Sequence, residues 1–194
     1  MLQVEAVQAV YKDSLVIPKE KPQRQCIIAP VGLIGAGKTT VVKPVAEALG
    51  VVRVSTDEYR ILLKENGHGY ETVKSFIRNT CKELLEAGHS IALDANCGGQ
   101  TAFTFIQKAK ELFGVKVYWL NIDTPETYAI EGLLKRASPM VEDNEEWLRN
   151  RANQKERMEH LGYEFDFFWR FDISQPDLST EIEACIAKLR TEIF

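Results

Sequence analysis

The sequence predicts an α/β fold, a five-stranded parallel sheet with helices packed on both of its faces. Two observations predict it. Short apolar runs alternate with stretches of helical period along most of the chain, and a glycine-rich loop separates the first run from the first such stretch.

The chain opens on a short amphipathic segment (Val4, Val7, Val10, Tyr11), followed by the polar, proline-bounded linker Pro18-Lys-Glu-Lys-Pro-Gln-Arg24. Residues 1–24 therefore read as an N-terminal segment and linker, and residues 25–194 as the functional domain. Within that domain Cys26 to Val31, Val51 to Ser55, Ser90 to Asp94, Val115 to Ile122 and Trp169 to Ile173 read as strands. Lys38 to Leu49, Tyr70 to Glu86 and Ala102 to Phe113 read as helices, stopped by Gly50, Gly88 and Gly114. Pro44 removes a backbone donor inside the first of these and is expected to kink or shorten it.

At 194 residues, 45% hydrophobic, the chain is long enough for one sizeable core and one domain. Its longest apolar stretches, such as Cys26 to Ile34, fall short of the roughly 20 residues a membrane span needs. Positions 1–25 lack the pattern of a secretory signal, so a cytoplasmic protein is expected. Cys26, Cys81, Cys97 and Cys185 are scattered, with no C-x-x-C pair and no histidine at ligand spacing, which predicts reduced thiols rather than disulfides or a zinc site. A net charge of -4 argues against a broad nucleic-acid surface.

The loop Gly32-Leu-Ile-Gly-Ala-Gly-Lys-Thr39 has the spacing G-x-x-x-x-G-K-[ST] and lies between a predicted strand and a predicted helix, the context this phosphate-binding loop requires. It makes the fold a P-loop NTPase three-layer sandwich. Gly32, Gly35, Ala36 and Gly37 let backbone N–H groups converge on phosphate oxygens at a helix N-terminus. Lys38 reaches the β- and γ-phosphates, Thr39 offers its hydroxyl to Mg²⁺, and Thr40 either contacts the α-phosphate or caps the helix. Asp94, at the end of Ser90-Ile-Ala-Leu-Asp94, is the acidic partner expected for the metal, and Asn96 follows two residues on. Mg²⁺ and ATP are the expected cofactor and phosphoryl donor.

At the next strand end the chain reads Ser55-Thr-Asp-Glu-Tyr-Arg60. Asp57 there can take the proton of an attacking hydroxyl, and Arg60, three residues on, can grip an anionic substrate. The bland alternative makes Asp57 a helix N-cap for Glu58 to Leu63 and pairs Arg60 with Glu58 or Glu65.

With GLIGAGKTT, STDEYR and ALDANC in this order, the sequence resembles the P-loop kinases of the 5′-hydroxyl polynucleotide kinase type and their zeta-toxin-like and small-metabolite relatives. The resemblance implies a general base at Asp57, substrate phosphate at Arg60, and the later D-x-N pair at Asp94 and Asn96. Such kinases cover the reaction with a lid, expected here at about 136–157. A helix from Glu126 to Arg136 leads into it, and a second helix carries Arg149, Arg151, Lys155 and Arg157. The resemblance implies that Arg136 contacts the ATP phosphates, with Arg149 and Arg151 as further candidates; Glu131-Gly132 stands where relatives often carry another arginine. The aromatic stretch Tyr163 to Phe171 reads as core packing rather than a base-stacking platform.

The expected activity is ATP-dependent transfer of the γ-phosphoryl group to a hydroxyl of a nucleic-acid 5′ end or of a small metabolite. The alternative is a nucleotide switch or an ATPase with no acceptor. A guanine-reading N-K-x-D is absent and Asp94 is not followed by glycine three residues on, which speaks against a GTP switch.

Overall fold

The computed structural model describes residues 1–135 and 144–194, with the backbone alone at Asn144. In chain order its elements are α1 (Val4–Asp13), β1 (Cys26–Val31), α2 (Lys38–Leu49), β2 (Val52–Ser55), α3 (Thr56–Glu65), α4 (Val73–Glu86), β3 (Ile91–Asp94), α5 (Gln100–Phe113), β4 (Lys116–Ile122), α6 (Glu126–Leu134), α7 (Asn144–Leu161), β5 (Phe167–Phe171) and α8 (Leu178–Ile193). The strands form one parallel sheet in the order β2-β3-β1-β4-β5.

All six residues of β1 are buried, because it is the central strand and both of its faces are covered. Its side chains alternate between two cores. Ile27, Ala29 and Val31 join Val7, Tyr11, Tyr59, Leu63, Phe76, Cys81 and Ile106 beneath α1, α3, α4 and α5. Cys26 and Ile28 join Val41, Val45, Leu49, Ile182 and Leu189 beneath α2 and α8. A third, small cluster of Leu133 and Trp147, with Ile34 and Ile61 packed against it, ties α6 and α7 to the P-loop and to α3.

Several boundaries differ from the sequence-based expectation. α4 begins at Val73 because Tyr70 to Thr72 form a turn, closed by Val73 N–H donating to the Tyr70 carbonyl at 3.2 Å. β5 spans Phe167–Phe171 rather than Trp169 to Ile173, since its pairing runs from Trp119↔Phe167 to Ile122↔Phe171 and then ends. α6 is regular to Leu134, with Lys135 at its C-cap. α2 keeps its full twelve residues with Pro44 inside it, its buried face of Val41, Val42, Val45, Ala46 and Leu49 outweighing one lost backbone bond.

The aromatic stretch does pack as core: Tyr163 stacks on Phe103 at 3.9 Å between ring centres, and Phe165 meets Trp119 edge-on at 4.9 Å. All four cysteines are buried free thiols. No helix among the described residues is long and apolar enough to cross a membrane.

Candidate functional site

The site forms where β1, β2 and β3 end. β1 is flanked by β3 on one side and β4 on the other, so the connections diverge there and leave a crevice at the carboxyl edge. The P-loop leaves β1 into that crevice. Gly35 and Gly37 adopt φ of 82° and 86°, a left-handed backbone that a side chain disfavours. Space forbids one as well. A Cβ at Gly35 would meet Leu133 at 2.7 Å, one at Gly32 would meet the Ile122 carbonyl at 2.6 Å, and one at Gly37 would collide with Ile173. Thr124, buried just after β4, donates to the Ala36 carbonyl at 2.9 Å and accepts from Ile173 N–H at 3.3 Å, fixing the loop against the end of the sheet.

Lys38 is half-buried and donates to the Gly32 and Leu33 carbonyls of its own loop at 3.0 and 2.9 Å. Burial pulls its pKa down to about 8, while Asp57 and Asp94 oppose the shift. The ammonium thus lies in the field of both acidic residues singled out from the sequence. Gly37 is the N-cap residue of α2, no side chain caps that helix, and Thr40 lies exposed on its first turn, so the capping reading of Thr40 does not hold.

Thr39 and Asp94 meet directly. Thr39 Oγ1 donates to Asp94 Oδ1 at 2.9 Å across the gap between α2 and β3. The other carboxylate oxygen accepts from Arg53 Nη1 at 2.6 Å. Arg53 also pairs with Glu58 on the first turn of α3. Burial raises the Asp94 carboxyl above its ordinary pKa, against the lowering pull of Thr39 and Arg53. Burial disfavours the charge of Arg53, but its bonds to Glu58 and Asp94 outweigh this and raise its pKa. The strands set this geometry: β2 and β3 run in register with Ser55 opposite Asp94, which brings α3 off the sheet beside the metal-ligand candidate.

Asp57 is not the cap of α3. Ser55 is, its Oγ accepting from Glu58 N–H at 3.3 Å, which leaves the Asp57 carboxylate half-exposed on the first turn. It accepts from Arg60 Nη1 at 2.9 Å, so Arg60 pairs with the candidate base itself rather than with Glu58 or Glu65. Asn96 accepts from Gly32 N–H at 3.4 Å and Gly98 N–H at 3.1 Å, and its amide lies 3.1 Å from Met158 Sδ, joining the start of the P-loop to the β3 tip and to α7.

α7 grips the P-loop at Ile34. Gln154 accepts the Ile34 N–H at 2.7 Å and Arg151 donates to the Ile34 carbonyl. Arg151 is 6% exposed; its Nε has no hydrogen-bond partner among the described residues and sits 4.0 Å from Glu126. Arg149, by contrast, faces outward and pairs with Glu145 at 3.7 Å, the ordinary helix-surface arrangement. Arg136 and the start of the expected lid, residues 136–143, lie outside the described residues.

Arg53, Thr124 and Gln154 were not legible as site residues. Arg53 reads as a polar position in a short strand, and its partner Asp94 is 41 residues away. Thr124 directly precedes Pro125 in what reads as a plain strand exit, and Gln154 sits among polar and charged neighbours in a mostly polar helix.

Solved structures share this fold. They include a candidate kinase from Chloroflexus aurantiacus (15% identity, TM-score 0.68, covering 87% of this chain and 98% of that one). A gluconokinase from Sinorhizobium meliloti is similar at 16% identity and TM-score 0.55, over 89% of this chain and 97% of that one. The APS kinase of Mycobacterium tuberculosis, in complex with AMPPNP and APS, is similar at 16% identity and TM-score 0.55, over 87% and 99%. At such identities the likeness is one of fold, here the fold of P-loop kinases. No curated protein sequence matches the chain. The family model described as an AAA domain matches residues 27–161, from β1 to the end of α7. Because that span holds most of the chain, with the P-loop, Asp57 and Asp94 inside it, the protein belongs to this AAA-domain family.

Proposed function

We propose that the protein is an ATP-dependent kinase that phosphorylates a hydroxyl of a small anionic metabolite. The observation that carries this reading is the placement of Asp57: a half-exposed carboxylate on the first turn of α3, two residues past the β2 end that pairs with Asp94, within the electrostatic reach of Lys38 and joined to Arg60 at 2.9 Å.

The residues fit Mg²⁺-ATP. Thr39 and Asp94 offer the hard oxygen donors magnesium prefers, and the crowding around Gly32, Gly35 and Gly37 leaves room for backbone alone. When bound, the metal neutralises charge on the transferring phosphoryl group. Lys38 turns from its own loop carbonyls to the β- and γ-phosphates. Arg60 anchors the acceptor by its anionic group, and Asp57 accepts the hydroxyl proton as the acceptor oxygen bonds to the γ-phosphorus and ADP leaves. Arg136 is kept as the candidate lid cation.

A small acceptor is favoured over a nucleic-acid end because, Arg60 apart, the nearby guanidiniums are committed. Arg53 is held by Asp94 and Glu58 and Arg151 by the P-loop, which leaves no basic track for a polyphosphate chain among these residues. Labelled-phosphate transfer from ATP to a panel of sugars, sugar acids, nucleosides, nucleotides and a 5′-hydroxyl oligonucleotide tests the reading. Labelling of a small anionic acceptor is expected. Preference for the oligonucleotide would overturn the acceptor class, and ATP hydrolysis indifferent to every acceptor would overturn the kinase.

A further inference from the structure

The N-terminal helix α1 (residues 4–13) precedes the family match at 27–161, and none of the phosphate chemistry uses it. It nevertheless lies along α3, the helix that carries Asp57 and Arg60, and is bonded to it at both ends. At the N-terminal end of α3, Tyr11 Oη donates to the Ser55 carbonyl at 2.8 Å, a bond formed entirely in the interior. Ser55 is the cap residue of α3 and stands two residues before Asp57. Burial drives the Tyr11 phenol upward, with the Ser55 bond opposing, so the hydroxyl stays a donor at all ordinary pH.

At the other end of α3, Leu2 N–H donates to Asn66 Oδ1 at 3.0 Å and the Leu2 carbonyl lies 2.7 Å from His68 Nε2. Between these ends Val7 and Tyr11 are fully buried, and the rings of Tyr11, Tyr59 and Phe76 pack at 5.3, 5.7 and 4.3 Å. α3 fully buries only Tyr59 and Leu63; Leu62 and Ile61 pack at the edges of two clusters, and Arg53 holds Glu58, so α1 shares in seating the helix.

We infer that α1 is a strut for the acceptor helix: it fixes the position and tilt of α3, and Tyr11 is a positioning residue that sets where Asp57 and Arg60 stand relative to the P-loop. The inference rests on the kinase reading for its consequence and on α3 alone for its geometry. It explains why the segment before the linker is part of the core rather than an appendage.

Tyr11→Phe keeps the ring and deletes the bond to Ser55; His68→Ala deletes one of the two bonds at the other end without touching the cap of α3. In the full chain, amide exchange across residues 56–65 is expected to quicken about fivefold for each variant, the worth of one hydrogen bond, with α2 unchanged. The acceptor KM is expected to rise five- to tenfold while the ATP KM stays within about twofold. Unchanged exchange in α3, or equal effects on both KM values, would overturn the strut. Exchange needs no acceptor, so a wild-type chain that phosphorylates nothing would overturn the kinase reading while exchange still decides the strut.

Discussion

Thr39 and Asp94 are 55 residues apart in sequence and 2.9 Å apart in space, hydroxyl to carboxylate, at the mouth of the P-loop. With Arg53 on its second oxygen, the Asp94 carboxylate is held in one orientation before any ligand arrives. Preorganisation of this kind lets a site stabilise charge without rearranging during the reaction.

Thr39→Ala removes the hydroxyl and leaves the Arg53–Asp94 pair intact. Phosphoryl transfer should fall roughly 10²- to 10³-fold, as for loss of one preorganised electrostatic contact, with little change in Tm. Removing magnesium with a chelator should bring the wild type to a comparable level. Turnover measured against magnesium concentration checks both.

Arg53→Ala strands a carboxylate whose side chain is 4% exposed. Breaking one partner of a buried ion pair costs about 3 kcal/mol, which for a chain of this size lowers Tm by roughly 6 to 12 °C. Arg53→Ala/Asp94→Asn should recover part of that loss, since no buried charge is then left unpaired. Calorimetry of the two variants measures it.

Gly37→Ala meets two obstacles, a φ of 86° and a collision with Ile173. The left-handed backbone alone costs about 1 to 2 kcal/mol. Nucleotide affinity should fall more than stability does, because the same N–H groups must converge on phosphate. Titration with a non-hydrolysable ATP analogue, set beside Tm, separates the two effects.

Gln154→Ala frees the Ile34 N–H from α7. Its amide should exchange about fivefold faster, in line with one lost hydrogen bond, while exchange in β1 stays as it was. Unchanged exchange at Ile34 would mean that α7 does not hold the loop.

How much of this was legible in the sequence depends on how far apart the cooperating residues are. The P-loop reads directly because its motif is carried by eight contiguous residues, and Asp57 and Asp94 read as candidate site residues because Asp94 ends an apolar strand and Asp57 follows one by two residues. The sheet follows from the alternation of strands and helices and is present in full. What stayed hidden is pairwise. Arg53 becomes a site residue only when β2 and β3 align with Ser55 opposite Asp94. The amphipathic pattern of Val7 and Tyr11 marked a segment apart from the domain, and neither its helix nor its seat along α3 was read from it. β5 was misplaced by two residues because the aromatic-rich stretch from Tyr163 to Phe171 starts ahead of the pairing and has no internal mark for where pairing with β4 begins.

The central claim is that Asp57 accepts a proton from an acceptor hydroxyl. Asp57→Asn is nearly isosteric and can still accept from Arg60, so the site should keep its shape. The decisive measurement is single-turnover transfer from ATP to the best acceptor, with ATP affinity measured in parallel. The account predicts an ATP affinity within about twofold of wild type and transfer slowed by roughly 10² or more, the usual worth of a general base. Transfer at the wild-type rate in Asp57→Asn would contradict it.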